Sequence, residues 1–398
     1  MNRWIDLENE YTAHTYKPLP IVITKGEGIW LWDDQGKKYL DMLSAYSAVS
    51  HGHCHPKLIK ALELQLKSVA VISRAFYSDK LGLFMKALCE LSQLEMAIPM
   101  NTGAEAVETA IKAIRLWGHT VKKINQPEII VAGGNFHGRT TTIISFSSEE
   151  SYKKGFGPYT PGFKIIQFGD ADALEKAITP NTCAFLVEPI QGEAGIIIPS
   201  QGYLSQIAKI CKERGILLIL DEIQSGLGRT GKMFAYEHES IKPDGIILGK
   251  ALGGGLLPVS AFIARKEVLG LFKPGMHGST FGGNPLASVV GIEALKVLKE
   301  EKLVENSKEL GAYLLERLKS LRSPAFVDIR GKGLWVGLEI DPKRISARKF
   351  CERLMSKGVL AKETHEVVVR LAPPLTITKS EIDWAIDQIK AVLEEMSG

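Results

Sequence analysis

Lys250 closes the short apolar run DGIILGK (244–250) and is followed at once by ALGGG. A lysine at the tip of a buried strand, taken out of water, loses its proton below its ordinary pKa of about 10.4. The neutral amine is then a nucleophile that forms an imine with an aldehyde. The glycines that follow leave room for a flat ligand to approach the backbone. Alone, Lys250 reads equally well as a surface lysine. Upstream, however, ILLILDE (216–222) carries Asp221 at its end. A buried carboxylate on a neighbouring strand end suits a protonated pyridine nitrogen. An imine-forming lysine with an acid for a pyridinium is the pairing that pyridoxal 5′-phosphate (PLP) requires.

That cofactor also needs a phosphate site. In Met100-Asn-Thr-Gly-Ala-Glu105, Thr102 and Glu105 have capping-box spacing at the start of an amphipathic helix that turns Val107, Ala110, Ile111, Ile114 and Trp117 inward. Free amides at Gly103 and Ala104 would meet a phosphate with the helix dipole behind them. The same pattern is also an ordinary helix cap. Phe136, in Asn135-Phe-His-Gly-Arg139, could stack on a pyridine ring or simply belong to the core.

The elements that must position these residues are short β-rich runs separated by helix-length segments. IIVAGG (129–134), FKIIQF (163–168), CAFLVEP (183–189), ILLILDE, DGIILGK and VSAFIA (259–264) read as strands, and YLSQIAKICKERG and KLIKALELQLKSV have helical spacing. The alternation predicts an α/β domain whose mostly parallel sheet is sandwiched by helices. Ligands of such sheets bind beyond the carboxyl ends of the strands. Those ends offer Asn135–Arg139, Glu188, Asp221-Glu-Ile-Gln224 and Lys250. A charge at a strand end is usually only solvated; several at successive ends point to one crevice. After about residue 285 long helices and a few strands (LWVGLEI, VVVRLA) predict a smaller α+β domain. The expected organisation is an N-terminal segment, 1–50, with a hairpin around Asp34-Gln-Gly36 that joins the small domain. A large domain over 51–284 and a small one over 285–398 follow.

Two patterns point elsewhere. Gly226-Leu-Gly-Arg-Thr-Gly231 matches GxGxxG after a strand, but no glycine-packed helix and no acid-ended strand follow at dinucleotide-binding spacing. His51-Gly-His-Cys-His55 lacks a second ligand pair and is read as shaping a turn, so no metal is expected. The formal net charge of +4 is spread along 398 residues without a block of like charges, which argues against nucleic acid and membrane surfaces as partners. Five scattered cysteines without a CxxC predict a reducing compartment. With no apolar leader in MNRWIDLENEY and no run of about 18 apolar residues, a cytoplasmic protein is expected.

The chain is identified by its motifs as resembling the class III (ω-amine) PLP-dependent aminotransferases over about 15–395. They are SAYSAVSHGHCHP, SRAFYSDKLG, MNTGAEAVETAIK, GNFHGRT, VEPIQGEAG, DEIQSGLGRTG, LGKALGGG, HGSTFGGNPLA, RGKGLWVGLEI and VRLAPPL. The resemblance implies the fold type I architecture and a homodimer with shared active sites, and the sequence leaves a higher oligomer open. It makes Lys250 the imine-forming lysine, Asp221 the partner of the pyridinium nitrogen and Phe136 the stacking ring. Gln224 lies near the phenolic oxygen, and Glu188 supports the site. Gly103 and Ala104, with Ser279 and Thr280 from the other subunit, hold the phosphate. Arg139 takes a substrate carboxylate, and Glu193 with Arg370 forms a second, switchable carboxylate site. Tyr16 and Tyr46 look like residues that contact a free α-amino end. The implied reaction passes the δ-amine of ornithine to 2-oxoglutarate and gives glutamate. Acetylornithine is the rival donor. An NAD-dependent dehydrogenase and a non-catalytic ligand-binding α/β protein are the readings from other classes.

Overall fold

The computed structural model describes residues 2–396, so Met1, Ser397 and Gly398 of the expected end segments lie outside the described residues. Its centre is a seven-stranded sheet. The strands are β4 (Met96–Met100), β5 (Glu128–Ala132), β6 (Phe163–Ile166), β7 (Thr182–Val187), β8 (Leu217–Asp221), β9 (Gly245–Leu248) and β10 (Ser260–Ala264), in the order β4-β10-β9-β8-β7-β5-β6. Only β10 runs against its neighbours. Every residue of β7, β8, β9 and β10 is buried, which is why these strands read as unbroken apolar runs rather than alternating ones. Helices cover both faces, and two apolar clusters lie on opposite sides of the sheet.

Six of these strands are legible in the sequence; β4 is not. Its sequence, MAIPM, holds Pro99, which demotes a strand reading. The structure tolerates it because β4 is an edge, paired only with β10. The chain passes from β5 outward to β6 and then returns to β7 on the other side of β5. That reversal opens a crevice between the loops after β5 and β7.

Two four-stranded sheets flank the centre. One holds β1 (Ile23–Glu27), β2 (Trp30–Asp33) and β3 (Lys38–Asp41), closed by the distant β13 (Val359–Leu360), which pairs parallel with β3. The turn between β2 and β3 is fixed by Asp33, whose Oδ1 accepts from the amides of Gln35 and Lys37. The other sheet has the order β11 (Phe326–Gly331), β12 (Val336–Ile340), β15 (Val368–Leu371), β14 (Lys362–Thr364). Its strand β15 carries Arg370 toward the crevice.

Candidate active site

Lys250 follows β9 and opens a short 3-10 turn, Lys250–Gly253, in left-handed backbone (φ +45°) that L residues rarely adopt. Its ammonium is desolvated, which lowers its pKa; the charges of Glu193, Asp221 and Glu188 pull the other way, and Arg370 adds to the lowering. A cleft of about 410 Å³ joins Lys250 to Thr102, Gly103 and Ala45. A larger one, about 830 Å³, lies elsewhere, against Trp117, Lys212 and Arg265, and touches none of the predicted site residues.

Asp221, at the end of β8, is buried, and its Oδ2 lies 2.7 Å from Nδ1 of His137. Its Oδ1 accepts from the amide of Ile223. Burial disfavours a charged His137, but the bond to Asp221 and the charges of Asp221 and Glu188 outweigh it, so its pKa is raised. Nε2 of the same ring is buried and has no partner among the described residues. Glu188, just after β7, accepts from the amides of Phe136 (3.0 Å) and Gly192 (3.4 Å). Burial pushes its carboxyl up to about 7. The Phe136 ring stands edge-on to Tyr152, and the Arg139 guanidinium lies 3.5 Å from the centre of the Tyr152 ring.

The helix Gly103–Thr120 begins with the predicted capping box: Thr102 Oγ1 accepts from the Glu105 amide, and Glu105 Oε2 accepts from the Thr102 amide. The amides of Gly103 and Ala104 have no partner among the described residues, as expected of the first helical N–H groups. Gly138 (φ +130°) presses the β5 loop onto this terminus, since a Cβ there would sit 2.8 Å from that of Ala104. Ser279 meets its own chain's Asn101, which donates to Ser279 Oγ at 3.0 Å, while Thr280 is exposed.

The remaining predicted residues form a second wall. Arg370 is buried and pairs with Glu193 (Nη1–Oε1 2.6 Å), and its Nε has no partner among the described residues. The ring of Tyr46 lies 4.9 Å from the guanidinium carbon of Arg370. Gln224 Nε2 donates to the Tyr46 carbonyl at 3.4 Å. Tyr16 is exposed, and the pKa of the Tyr46 phenol is raised chiefly by burial. Tyr46 belongs to four consecutive non-glycine residues in left-handed backbone, Ser44 to Ser47 (φ 45°, 47°, 58° and 74°). Each such residue costs roughly 1–2 kcal/mol, so the turn must be imposed by its surroundings.

The family model for class-III aminotransferases matches residues 11–393. The chain belongs to that family. It is 58% identical over 391 residues to the ornithine aminotransferase of Brevibacillus brevis, covering 98% of this chain and 97% of that one. The ornithine aminotransferase of Bacillus subtilis is 56% identical at the same coverage. Among solved structures, the ornithine aminotransferase of Toxoplasma gondii, described with PLP partially occupying its active site, superposes with a TM-score of 0.97 at 40% identity and covers 99% of this chain and 96% of that one. The acetylornithine aminotransferase of Elizabethkingia anophelis gives 0.90 at 43%, with 98% of both chains covered. The fold is therefore that of the type I PLP enzymes, and PLP is the cofactor. The residues present fit it: two unpaired amides at a helix N-terminus suit a phosphate, a desolvated lysine suits an aldehyde, and a buried carboxylate suits a cationic ring nitrogen.

Two residues of this aminotransferase escape a reading by type and spacing. His137 stands in full view between Phe136 and Arg139 at a strand end, and its position as the sole titratable group between those two was the available signal. Arg229 sits inside the GxGxxG match, which diverts attention to its glycines. The three histidines of HGHCH turn to separate partners: His51 to the Ala294 carbonyl, His53 to Asp41 and His55 to Glu301. No cluster of three or more metal-ligating side chains occurs among the described residues.

Proposed function

We propose that this aminotransferase passes the δ-amino group of L-ornithine to 2-oxoglutarate. The products are glutamate and glutamate 5-semialdehyde, and the latter cyclises to pyrroline-5-carboxylate because amine and aldehyde share one short chain. The observation that carries the reading is the wall in which Tyr46 packs on Arg370 while Glu193 neutralises that arginine. A donor that reacts through its δ-amine brings no carboxylate to the reacting carbon, so a neutralised Arg370 suits it. Glutamate, which reacts through its α-amine, does bring one, and Arg370 released from Glu193 would receive it. Tyr46 and Tyr16 offer phenols to a free α-amine, and Arg139, which lies over the rings of Phe136 and Tyr152, is placed to take a carboxylate bidentately. The relatives from Brevibacillus and Bacillus support ornithine as donor.

PLP, when bound, supplies the aldehyde and the electron-accepting ring through which an amine is exchanged. In our reading Gly103 and Ala104 would hold its phosphate, with Ser279 and Thr280 of a facing copy, Phe136 would cover its ring, and Gln224 would serve its phenolic oxygen. Asp221 would hold the proton on its ring nitrogen, with His137 fixing the carboxylate's orientation and Glu188 locking the β5 loop. Lys250 would be the residue that carries it and, as a free amine, the base that takes the proton from the reacting carbon of the donor. Its lowered pKa favours the neutral amine that task needs. Exposed Phe76, Tyr77 and Phe281 near Thr280 support a homodimer that buries this apolar surface; a cytoplasmic location belongs to the same reading. The division into segments 1–50, 51–284 and 285–398 is our description of its domains.

The second reading is acetylornithine as donor, favoured by the Elizabethkingia structure at 43% identity. Initial rates with 2-oxoglutarate and ornithine, acetylornithine, 4-aminobutyrate or lysine separate the two. Ornithine is expected to give the highest kcat/KM; a higher value with acetylornithine overturns the donor reading. A purified protein without the yellow of bound PLP would reopen the dehydrogenase and non-catalytic alternatives.

A further inference from the structure

We propose that Arg229 is a positioning residue whose guanidinium holds the left-handed turn Ser44–Ser47 against the exit of β15, and so sets Tyr46 over Arg370 and the choice between amine donors. The inference deepens the donor reading above and rests on it.

Arg229 is fully buried. Its Nη1 donates to the carbonyls of Leu334 (2.8 Å) and Pro373 (2.6 Å), and its Nη2 donates to the hydroxyls of Ser44 (3.2 Å) and Ser50 (3.0 Å). The two serines bracket the left-handed turn. Pro373 lies three residues beyond Arg370 on the segment leaving β15. One planar fork thus touches both the segment that presents Tyr46 and the segment that presents Arg370.

The contacts around it are arranged to the same end. Ser44 Oγ donates to the Ala372 carbonyl (2.6 Å), and Ser50 Oγ donates to the Ser47 carbonyl (2.9 Å). The Ala372 amide donates to Met42, and the Leu375 amide donates to Ser50. Asp41 Oδ1 accepts from the amides of Leu43 and Ser44 as the turn begins. None of Ser44, Ala45, Tyr46 and Ser47 is a glycine or asparagine, so the sequence itself does not favour this conformation. It persists because Arg229 and these neighbours over-determine it.

As a stabiliser alone, Arg229 is poorly placed. Its hydrogen bonds go to neutral oxygens, its Nε has no partner among the described residues, and burial pulls its pKa down to about 9 against the attraction of Asp41. Apolar side chains often replace buried charges without loss of stability. A planar fork reaching four oxygens is instead a device for geometry. The glycines of Gly226–Gly231 serve that device: Gly228 and Gly231 take φ +92° and +83°, and a Cβ on Gly231 would strike Lys308. The GxGxxG spacing here folds a loop that buries a guanidinium.

The test compares Arg229→Lys and Ser50→Ala with the PLP-loaded wild type, using ornithine and acetylornithine as donors. Arg229→Lys is expected to raise KM for ornithine roughly tenfold, the scale of one or two lost hydrogen bonds, with kcat nearly unchanged. The ratio of kcat/KM for the two donors falls with it. Ser50→Ala, which keeps the charge and most of the bonds, should shift the ratio the same way by about threefold and carries the test if the lysine variant does not fold. Backbone amides of 43–51 should lose hydrogen-exchange protection in both variants, with the PLP absorbance retained. Adding Ala45→Gly, which lets the turn sit left-handed without strain, should recover most of the lost ratio. A wild-type ratio in the folded variants, or a loss of kcat and KM together that Ala45→Gly does not restore, overturns the inference. A wild type that prefers acetylornithine sinks the donor reading instead, and the clamp is then judged on that donor's KM and the same rescue.

Discussion

The two walls of the crevice are built by opposite means. On one wall Asp221, Glu188 and Lys250 sit at or just past the ends of β8, β7 and β9, three adjacent strands of one sheet. Their spacing follows from the sheet, because the strands that end at or just before them are paired with one another. On the other wall Tyr46, Glu193 and Arg370 come from an N-terminal turn, a loop of the large sheet and a strand of another sheet. They are held in register by side-chain bonds, by two backbone bonds (Ala372 to Met42 and Leu375 to Ser50) and by a strained turn. Chemistry common to every substrate belongs on the first kind of wall. Choice between substrates belongs on the second, where one altered bond can shift a ring without disturbing the sheet.

The largest expected effect tests the first wall. Under the proposed roles Lys250→Ala removes both the attachment point and the base. Turnover should fall by more than the roughly 10²–10⁴-fold that one acid–base group supplies, while PLP still binds through the phosphate and ring contacts. Borohydride reduction of the wild type followed by peptide mapping should find the cofactor on Lys250, and an adduct on any other lysine removes the assignment. Asp221→Ala comes next. Losing one partner of a buried pair costs roughly 3–5 kcal/mol, and felt in the transition state this is about two to four powers of ten in rate. His137 would lose its anchor at the same time. Near-normal turnover would contradict the role.

The same contrast explains what could be read from the sequence. Lys250 and Asp221 end apolar runs, and a strand tip is visible as the place where an apolar run meets a charge. Six central strands and the capping box at Thr102 were legible on that local basis. β4 was hidden by Pro99, whose tolerance depends on an edge position that only the topology reveals. His137 acts through a partner 84 residues away and Arg229 through partners 105 to 185 residues away, and no local pattern announces such a bond. The turn at Ser44–Ser47 is the extreme case. Its residues carry no left-handed preference, so the local bonds from Asp41 and Ser50 are joined by long-range ones from Arg229 and Ala372 that the sequence does not announce. The motif resemblance supplied Tyr46, Glu193 and Arg370, which spacing alone would not have assembled.

A change at Glu193 should act first on the second wall, although its charge also reaches Lys250. Glu193→Ala leaves Arg370 without its charge partner in a site where a charge-assisted hydrogen bond is worth about 1.5–3 kcal/mol. The ornithine half-reaction should slow, the glutamate half-reaction should speed up, and their ratio should move by about ten- to a hundredfold. Some ornithine should then react at its α-amine. Single-turnover kinetics in both directions measure the ratio, and an unchanged value rules out the switch.

The smallest effect lies behind the first wall and concerns stability rather than rate. Glu222, next to Asp221, is buried; it accepts from Ser225 Oγ (2.6 Å) and the Tyr236 amide (3.0 Å), and burial pushes its carboxyl up to about 7 from 4.5. In the folded chain it holds its proton up to about pH 7, whereas in the unfolded chain it gives that proton up above about 4.5. Folding therefore takes up a proton between these values, so Glu222 makes stability decline as pH rises through that window, and the penalty is complete above it. Glu222→Gln keeps the shape and removes the titration. Its melting temperature relative to wild type should be higher at pH 8 than at pH 5, by a few degrees. His51 and His238, pulled down to about 4 by burial, destabilise the fold in the opposite direction, as pH falls from 6.5 toward 4. Their contribution is the same in both proteins and cancels in the difference. A Glu222→Gln shift that is equal at the two pH values would mean that the carboxyl is already ionised in the folded chain at pH 5, and that the sheet end beside Asp221 is wetter than its burial implies.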